Sequence, residues 1–388
     1  MRYHAAVLAS SLLISVLGCG QEAEVPTAPA PPSPSLAAAS ALAFRTVSAG
    51  GSHTCALTTT DLAYCWGVGE HRTPAPVSGG LKFLMLSAGG SYIGDLNGQG
   101  PVSCGVTTAL RLYCWDDALV PHEVPGGRRF RAVSVGYEHT CAVNPYDVAF
   151  CWGSDQFGQL GTGPGEGSTN TPTRVLGGHK WRLVFAGASH TCGATQDNKG
   201  YCWGWNNFNQ LGIGVPGGRH PEPTPIAGGL SWRQVRAGSG VNTALNSVEL
   251  DEAVGCGVTQ SDQAYCWGAG ATGSAPGASN TPKLVAGGRR YRTVQPGLWH
   301  SCGLTLAGAV FCWGQNDFGM LGRTGGSSQT PVRVSGNLVF EALSVDPSGF
   351  HACGLTAAHQ VYCWGNNGQG QLGDGTLSNR STPVAVLQ

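Results

Sequence analysis

The chain predicts an all-β fold, a seven-bladed β-propeller of tandem repeats, on three observations. Two cysteines with nine residues between them, the second followed by Trp, occur seven times: Cys55/Cys65, Cys104/Cys114, Cys141/Cys151, Cys192/Cys202, Cys256/Cys266, Cys302/Cys312 and Cys353/Cys363. When each pair is read as the opposed residues of a β-hairpin, a small residue faces a large aromatic in every unit. Most linkers between units carry Thr-Pro followed by residues suited to an extended strand. Self-similarity of this kind marks a repeat architecture.

The hairpin register follows from the first unit. With Cys55 opposite Cys65, Ala56 faces Tyr64 and Thr54 faces Trp66. The same register sets Gly105 against Tyr113, Ala142 against Phe150, Gly193 against Tyr201, Gly257 against Tyr265, Gly303 against Phe311 and Gly354 against Tyr362. Small against large is the complementarity expected on one packed face of a hairpin. A slip of one residue would move every side chain to the other face and destroy it. Each cysteine pair then shares the opposite face, at a Cα separation of about 4.5–5.5 Å that suits a disulfide. A bridge closing so short a loop contributes at most about 2.5–3 kcal/mol. Seven pairs of buried free thiols are the alternative. Zinc is disfavoured, since nine intervening residues is not a usual ligand spacing.

The 388 residues include 61 glycines and 15 cysteines, only 11% are charged, and the formal net charge is zero. Abundant turn formers and strand formers fit many short strands. The neutral balance lacks the electrostatic footprint of a nucleic-acid binder. Residues 1–18 read as an export signal: Arg2 supplies the positive start, and Ala5–Leu17 is an apolar run too short to span a bilayer comfortably. The run ends in Val16-Leu17-Gly18-Cys19, which resembles the bacterial lipobox. That resemblance implies cleavage before Cys19 and lipidation of Cys19, which would account for the one cysteine outside the seven pairs. Residues 19–42, rich in Pro, Ala and Ser, read as a semi-extended tether. Residues 43–388 hold the propeller.

The units begin near Phe44, Lys82, Arg129, Lys180, Ser231, Arg290 and Val339. Units two and five carry insertions at the same point of the repeat, Ser91–Ser103 and about Ser239–Gly255. Units three, four, six and seven carry a glycine-rich loop of the type Gly158-Gln159-Leu160-Gly161, read as a blade turn rather than a phosphate loop. These loops are expected on the face opposite the insertions. Thr-Pro occurs at Thr171-Pro172, Thr224-Pro225, Thr281-Pro282, Thr330-Pro331 and Thr382-Pro383, and Pro is tolerated on an edge strand. No such strand precedes Phe44. The C-terminal strand after Thr382 is therefore expected to join the first blade and close the ring, removing exposed edges.

The units resemble the regulator of chromosome condensation repeat. The match rests on Val47-Ser48-Ala49-Gly50-Gly51-Ser52-His53-Thr54-Cys55-Ala56-Leu57, then Cys151-Trp152-Gly153, Gly158-Gln159-Leu160-Gly161 and Thr171-Pro172. The resemblance implies a seven-bladed propeller with the strand-borrowing closure. For function it implies binding roles of several kinds, among them guanine-nucleotide exchange, ultraviolet reception and inhibition of a secreted β-lactamase. The reading adopted is a lipid-anchored extracytoplasmic scaffold, monomeric and held at the cell envelope, that binds a protein, peptide or glycan. It contacts the membrane only through its lipid, binds no nucleic acid and needs no metal or cofactor. Exchange activity, inhibition of a secreted enzyme and a hydrolase or lyase in the channel are the alternatives; no catalytic constellation is visible.

The insertions supply the partner-binding candidates Asp95, Glu249, Asp251 and Glu252, placed as an acidic clamp across the axis. Phe157, Trp205, Phe208 and Phe318 beside the glycine-rich loops are aromatic candidates. His53, His139, His190, His300 and His351, each two residues before a first cysteine, read as a repeated hydrogen bond rather than a metal ring.

Overall fold

The computed structural model describes residues 42–67, 69–90, 102–165, 167–238, 253–274, 278–345 and 350–387. They form seven sheets of four antiparallel strands, each sheet built from strands consecutive in sequence. The first strand of each sheet is innermost. These strands, Phe44–Ala49, Phe83–Gly89, Ala132–Val135, Trp181–Ala186, Trp232–Ala237, Tyr291–Pro296 and Phe340–Val345, line one central channel. Outer strands such as Thr169–Arg174 and Ser328–Arg333 carry the Thr-Pro pairs at the rim, where a missing N–H leaves no ladder bond unmade.

The middle hairpin of every blade has the register read from the sequence. Cys55 pairs with Cys65, Ala56 with Tyr64 and Thr54 with Trp66. The other six repeat it. All seven cysteine pairs are disulfide-bonded: Cys55–Cys65, Cys104–Cys114, Cys141–Cys151, Cys192–Cys202, Cys256–Cys266, Cys302–Cys312 and Cys353–Cys363. Their Cα atoms are 4.0–4.1 Å apart, closer than the spacing expected above. The bridge draws together two strands that already meet most closely where opposed residues exchange no hydrogen bonds.

Alternation along the hairpin gives each blade two unlike faces. The disulfide face packs on the next blade and the Trp face on the preceding one. Cys55 and Cys65 thus share a core with Phe83 and Trp115, and Cys141 and Cys151 with Trp181 and Trp203. Cys192 and Cys202 meet Trp232 and Trp267, Cys256 and Cys266 meet Tyr291 and Trp313, and Cys302 and Cys312 meet Phe340 and Trp364. The hydrophobic core is therefore a ring of slabs, one per seam. Burying a side chain such as Phe44 stabilises by about 1.5–3 kcal/mol.

Two expectations are corrected. The C-terminal strand Arg380–Ala385 pairs within blade seven, with Tyr362 opposite Ala385, and does not join blade one. Blade one owns a short outer strand, Ala75–Pro76, paired with Tyr64 and Cys65. Its sequence, Thr73-Pro74-Ala75-Pro76-Val77, is itself a Thr-Pro linker, so no strand is left to be borrowed. Closure comes from face packing: the Phe44 N–H donates to the His359 carbonyl at 2.9 Å, and Phe44 and Trp66 share a core with Cys353 and Cys363. The second correction concerns the faces. His139, which opens the second strand of blade three, pairs with Gly153, which closes the third. The loops that bear the insertions and the glycine-rich loops therefore leave from the same face, here called the upper face. The chain enters and leaves the ring on the lower one.

Candidate functional site

The seam between blades three and four shows the complete upper-face arrangement. The Gln159 carbonyl accepts from Trp203 Nε1 at 3.0 Å and from Thr191 Oγ1 at 2.7 Å. His139 Nε2 lies 2.7 Å from the same hydroxyl, whose proton is already committed, so the imidazole donates from Nε2. The loop holds itself in place: Asp155 Oδ1 accepts from the Leu160 N–H and Gln159 Oε1 from the Phe157 N–H. Leu160 is fully buried beside the Cys141–Cys151 bridge and Trp203. Gly161 closes the loop at φ +70°, where a Cβ would stand 2.6 Å from Trp203 Nε1. Gly is required there on both counts.

Four other seams repeat this cap. The carbonyls of Gln210, Ala271, Met320 and Gln371 accept from Trp267, Trp313, Trp364 and Trp66 of the following blade. Blades one and two lack the loop. After blade one, Leu119 fills the gap and Trp115 Nε1 turns to Cys65 Sγ at 3.4 Å. After blade two nothing among the described residues fills it. A cleft of about 450 Å³ opens there, lined by Trp152, Thr140, Cys114, Tyr137, Glu138 and Gln156 among others.

Several departures from the repeat fall on this seam between blades two and three. Trp152 is half-buried, whereas the other six tryptophans that follow a second cysteine are at most 3% exposed. Cys114 is half-buried, and all other bridged cysteines are closed off. Cys202, Cys266 and Cys312, the equivalents of Cys114 in blades four, five and six, have no exposed surface, so their bridges staple the blades and reach no ligand. Trp152 still holds the pose of a capped tryptophan, tilted 38° to Phe130 as Trp66 is tilted 45° to Phe44. Among the described residues, neither its Nε1 nor the Thr140 hydroxyl meets an acceptor. On the lower face, Arg45, Arg131, Arg182, Arg233 and Arg292 each donate to carbonyls of the next blade, and the corresponding residue of blade two is Leu84. Val102 stands where the neighbouring units have the histidine.

The histidines act within the seams. His53 and His351 reach Ser103 and Thr54 of the next blade, at 2.7 and 2.8 Å. His190 and His300 meet Gly255 and Ala352 at that position, which have no hydroxyl. Neither ring nitrogen of either histidine has a partner among the described residues. Burial lowers the pKa to about 4 for His53 and His300 and to about 3 for His139, His190 and His351. All five are neutral at physiological pH. Among the described residues, no group of three or more His, Cys, Asp or Glu could hold a metal ion.

Of the aromatic candidates, three come together. Phe157 stacks on Trp205 at 5.0 Å, and Trp205 meets Phe208 edge-on at 5.0 Å, all half-buried on the upper face of blades three and four. Phe318 lies apart, against Phe350, which in turn meets Trp299. Asp95, Glu249, Asp251, Glu252 and Cys19 lie outside the described residues.

The channel is a second feature. Ser48, Ser87, Ser134 and Ser344 each accept the backbone N–H of Ala88, Val135, Ala186 and Ala49 on the next inner strand. The belt breaks at Phe185 and Arg236. Arg236 lies over the Phe185 ring at 4.0 Å in a cavity of about 200 Å³. Its Nε has no partner among the described residues, and burial lowers its pKa to about 10. Among the described residues no carboxylate lines this cavity.

Seven four-stranded blades with five capped seams define a β-propeller repeat protein. Residues 147–194, 197–245 and 358–388 match one profile of the "Regulator of chromosome condensation (RCC1) repeat", and residues 44–71, 181–210 and 297–319 match a second. These matches show that the chain carries RCC1 repeats. It is 26% identical over 376 residues to the ultraviolet-B receptor UVR8 of Arabidopsis thaliana, covering 88% of this chain and 81% of the receptor. It is 28% identical over 328 residues to the human E3 ubiquitin-protein ligase HERC2, covering 79% of this chain and 6% of the ligase. Among solved structures it is similar in fold to human WBSCR16, with TM-score 0.60, 18% identity, and 89% and 82% of the two chains covered.

Proposed function

We propose that the protein is a non-catalytic binding scaffold of the cell envelope, exported and lipid-anchored through Cys19, that takes a protein, peptide or glycan at the upper-face cleft between blades two and three. The observation that carries this reading is the convergence of repeat defects on one seam. Volume, an accessible indole and a mixed polar lining are the attributes of a recognition pocket. The ring begins at Phe44 on the lower face, opposite the cleft. The ligase activity named for HERC2 is not carried over, since 6% of that protein is shared.

Pull-down from envelope and medium fractions tests it, with the oxidised protein beside Trp152→Ala and Phe157→Ala. A discrete partner captured by the wild type and by Phe157→Ala, and lost with Trp152→Ala, is expected. Equal capture by all three would remove the cleft from the function. Cleavage before Cys19 and acylation of Cys19, read by mass spectrometry, is the expected state of the mature N-terminus, and an unmodified Cys19 would sink the anchoring.

A further inference from the structure

We infer that the cleft between blades two and three is a receptor for a glycine-containing turn of a partner protein, one that supplies the cap this seam lacks. The inference rests on the binding reading above and names its ligand.

Five seams of the same molecule show what fits. In each, a backbone carbonyl of a loop accepts the indole N–H of the next blade's Trp. In two of them, Gln159 with Thr191 and Gln371 with Thr54, it also accepts the threonine hydroxyl beside that Trp. In the blade-three loop, Leu160 lies against the disulfide and Gly161 packs close to the indole. At the open seam all three receiving elements are present. Trp152 Nε1 and the Thr140 hydroxyl are donors without an acceptor among the described residues. Cys114, which a leucine would cover, is half-buried instead of closed. The occupant is therefore defined chemically. It offers a backbone carbonyl to two donors, a branched apolar side chain to the Cys104–Cys114 bridge, and glycine to the indole face, where the equivalent Cβ at Gly161 would approach to 2.6 Å. A glycan supplies the acceptor but not the apolar side chain. Donor-to-carbonyl pairing also gives orientation, since an unaccepted donor in a closed seam is costly.

The test uses the oxidised protein and a cyclic peptide carrying Asp-Gln-Phe-Gly-Gln-Leu-Gly, the sequence of residues 155–161. Fluorescence anisotropy of the labelled peptide should show saturable binding. Trp152→Phe, which keeps the ring and removes the N–H, should weaken it about five- to tenfold, the scale of one hydrogen bond. A peptide with Asp in place of Leu should not bind. A variant with the blade-three loop grafted in place of residues 116–120 should lose binding while melting no lower than wild type. Absence of saturable binding, or equal binding by Trp152→Phe, overturns the turn-receptor inference. If the envelope partner is nevertheless lost with Trp152→Ala, the scaffold reading survives with another ligand class. If peptide binds only after residues 91–101 are replaced by a short turn, the cleft is filled by the chain's own insertion, and the partner assignment falls.

Discussion

Trp203 of blade four donates its indole N–H across the seam to the carbonyl of Gln159 in blade three, at 3.0 Å, and Gly161 of the same loop packs so close to the indole that a Cβ would stand 2.6 Å from its Nε1. This pairing locks one blade to the next in a protein with no common core.

Gly161→Ala should therefore destabilise the ring more than a typical surface change. The left-handed backbone costs about 1 kcal/mol, and forcing a methyl onto Trp203 adds roughly 1–3 kcal/mol. A lowered denaturation midpoint in oxidised protein is expected; a midpoint within error of wild type would mean that the loop is not a clamp.

Acid should loosen the ring in a defined window. The five seam histidines have folded pKa values of about 3 to 4. These lie below the ordinary value near 6.5, so between the two limits the unfolded chain binds more protons. Stability is full above about pH 6.5 and falls as pH drops, by about 1.4 kcal/mol per pH unit for each histidine. Denaturant titrations from pH 7 to pH 4 measure the slope. His300→Leu should lower it by one proton, and an unchanged slope would show that His300 does not titrate on unfolding.

Limited reduction should open one bridge before the rest. Cys114 is half-buried at the cleft, while the other bridged cysteines, Cys202, Cys266 and Cys312 among them, are sealed within seams. With substoichiometric reductant and alkylation, Cys104 and Cys114 should be labelled several-fold faster than any other pair. First labelling at another pair would show that exposure does not rank these disulfides.

Arg236→Met should raise stability. Arg236 holds an Nε with no partner among the described residues, and its guanidinium lies over the Phe185 ring. Exchanging a desolvated charge for an apolar chain of similar length gains on the order of 1 kcal/mol. A lower melting midpoint in dilute buffer would show that the guanidinium is satisfied in solution.

The register of every middle hairpin is legible in the amino-acid order alone, because small-against-aromatic pairing survives only one alignment of Cys55 with Cys65 and its six copies. Ring closure is not, because the outer strand of blade one has only two residues, Ala75 and Pro76, too few to mark a strand beside Thr73-Pro74. The two faces are hard to tell apart in sequence, since strand direction at the loop ends emerges only when His139 is paired with Gly153. The arginine ties leave no mark, because Arg45 and its equivalents bond to backbone carbonyls that any residue offers. The cleft leaves an ambiguous mark: units one, two and five lack a loop of the Gly-Gln-Leu-Gly type, yet unit five keeps the cap through the Ala271 carbonyl. The acidic clamp of Asp95, Glu249, Asp251 and Glu252 stays a proposal.

Blade one begins with its own inner strand at Phe44 and blade seven ends with its own outer strand at Ala385, so the first and last strands of the ring belong to blades that meet at a seam. The seam at that junction is held by the same kinds of bond as the seam between blades three and four, Trp66 to Gln371 and Thr54 to His351. The polypeptide is thus an ordered necklace whose clasp is chemically like its most complete link, the one between blades three and four. Joining residues 387 and 42 by a turn of ordinary linker length and cutting instead before Lys180 would reorder the beads without splitting one. Evolution could lengthen or shorten such a ring a blade at a time.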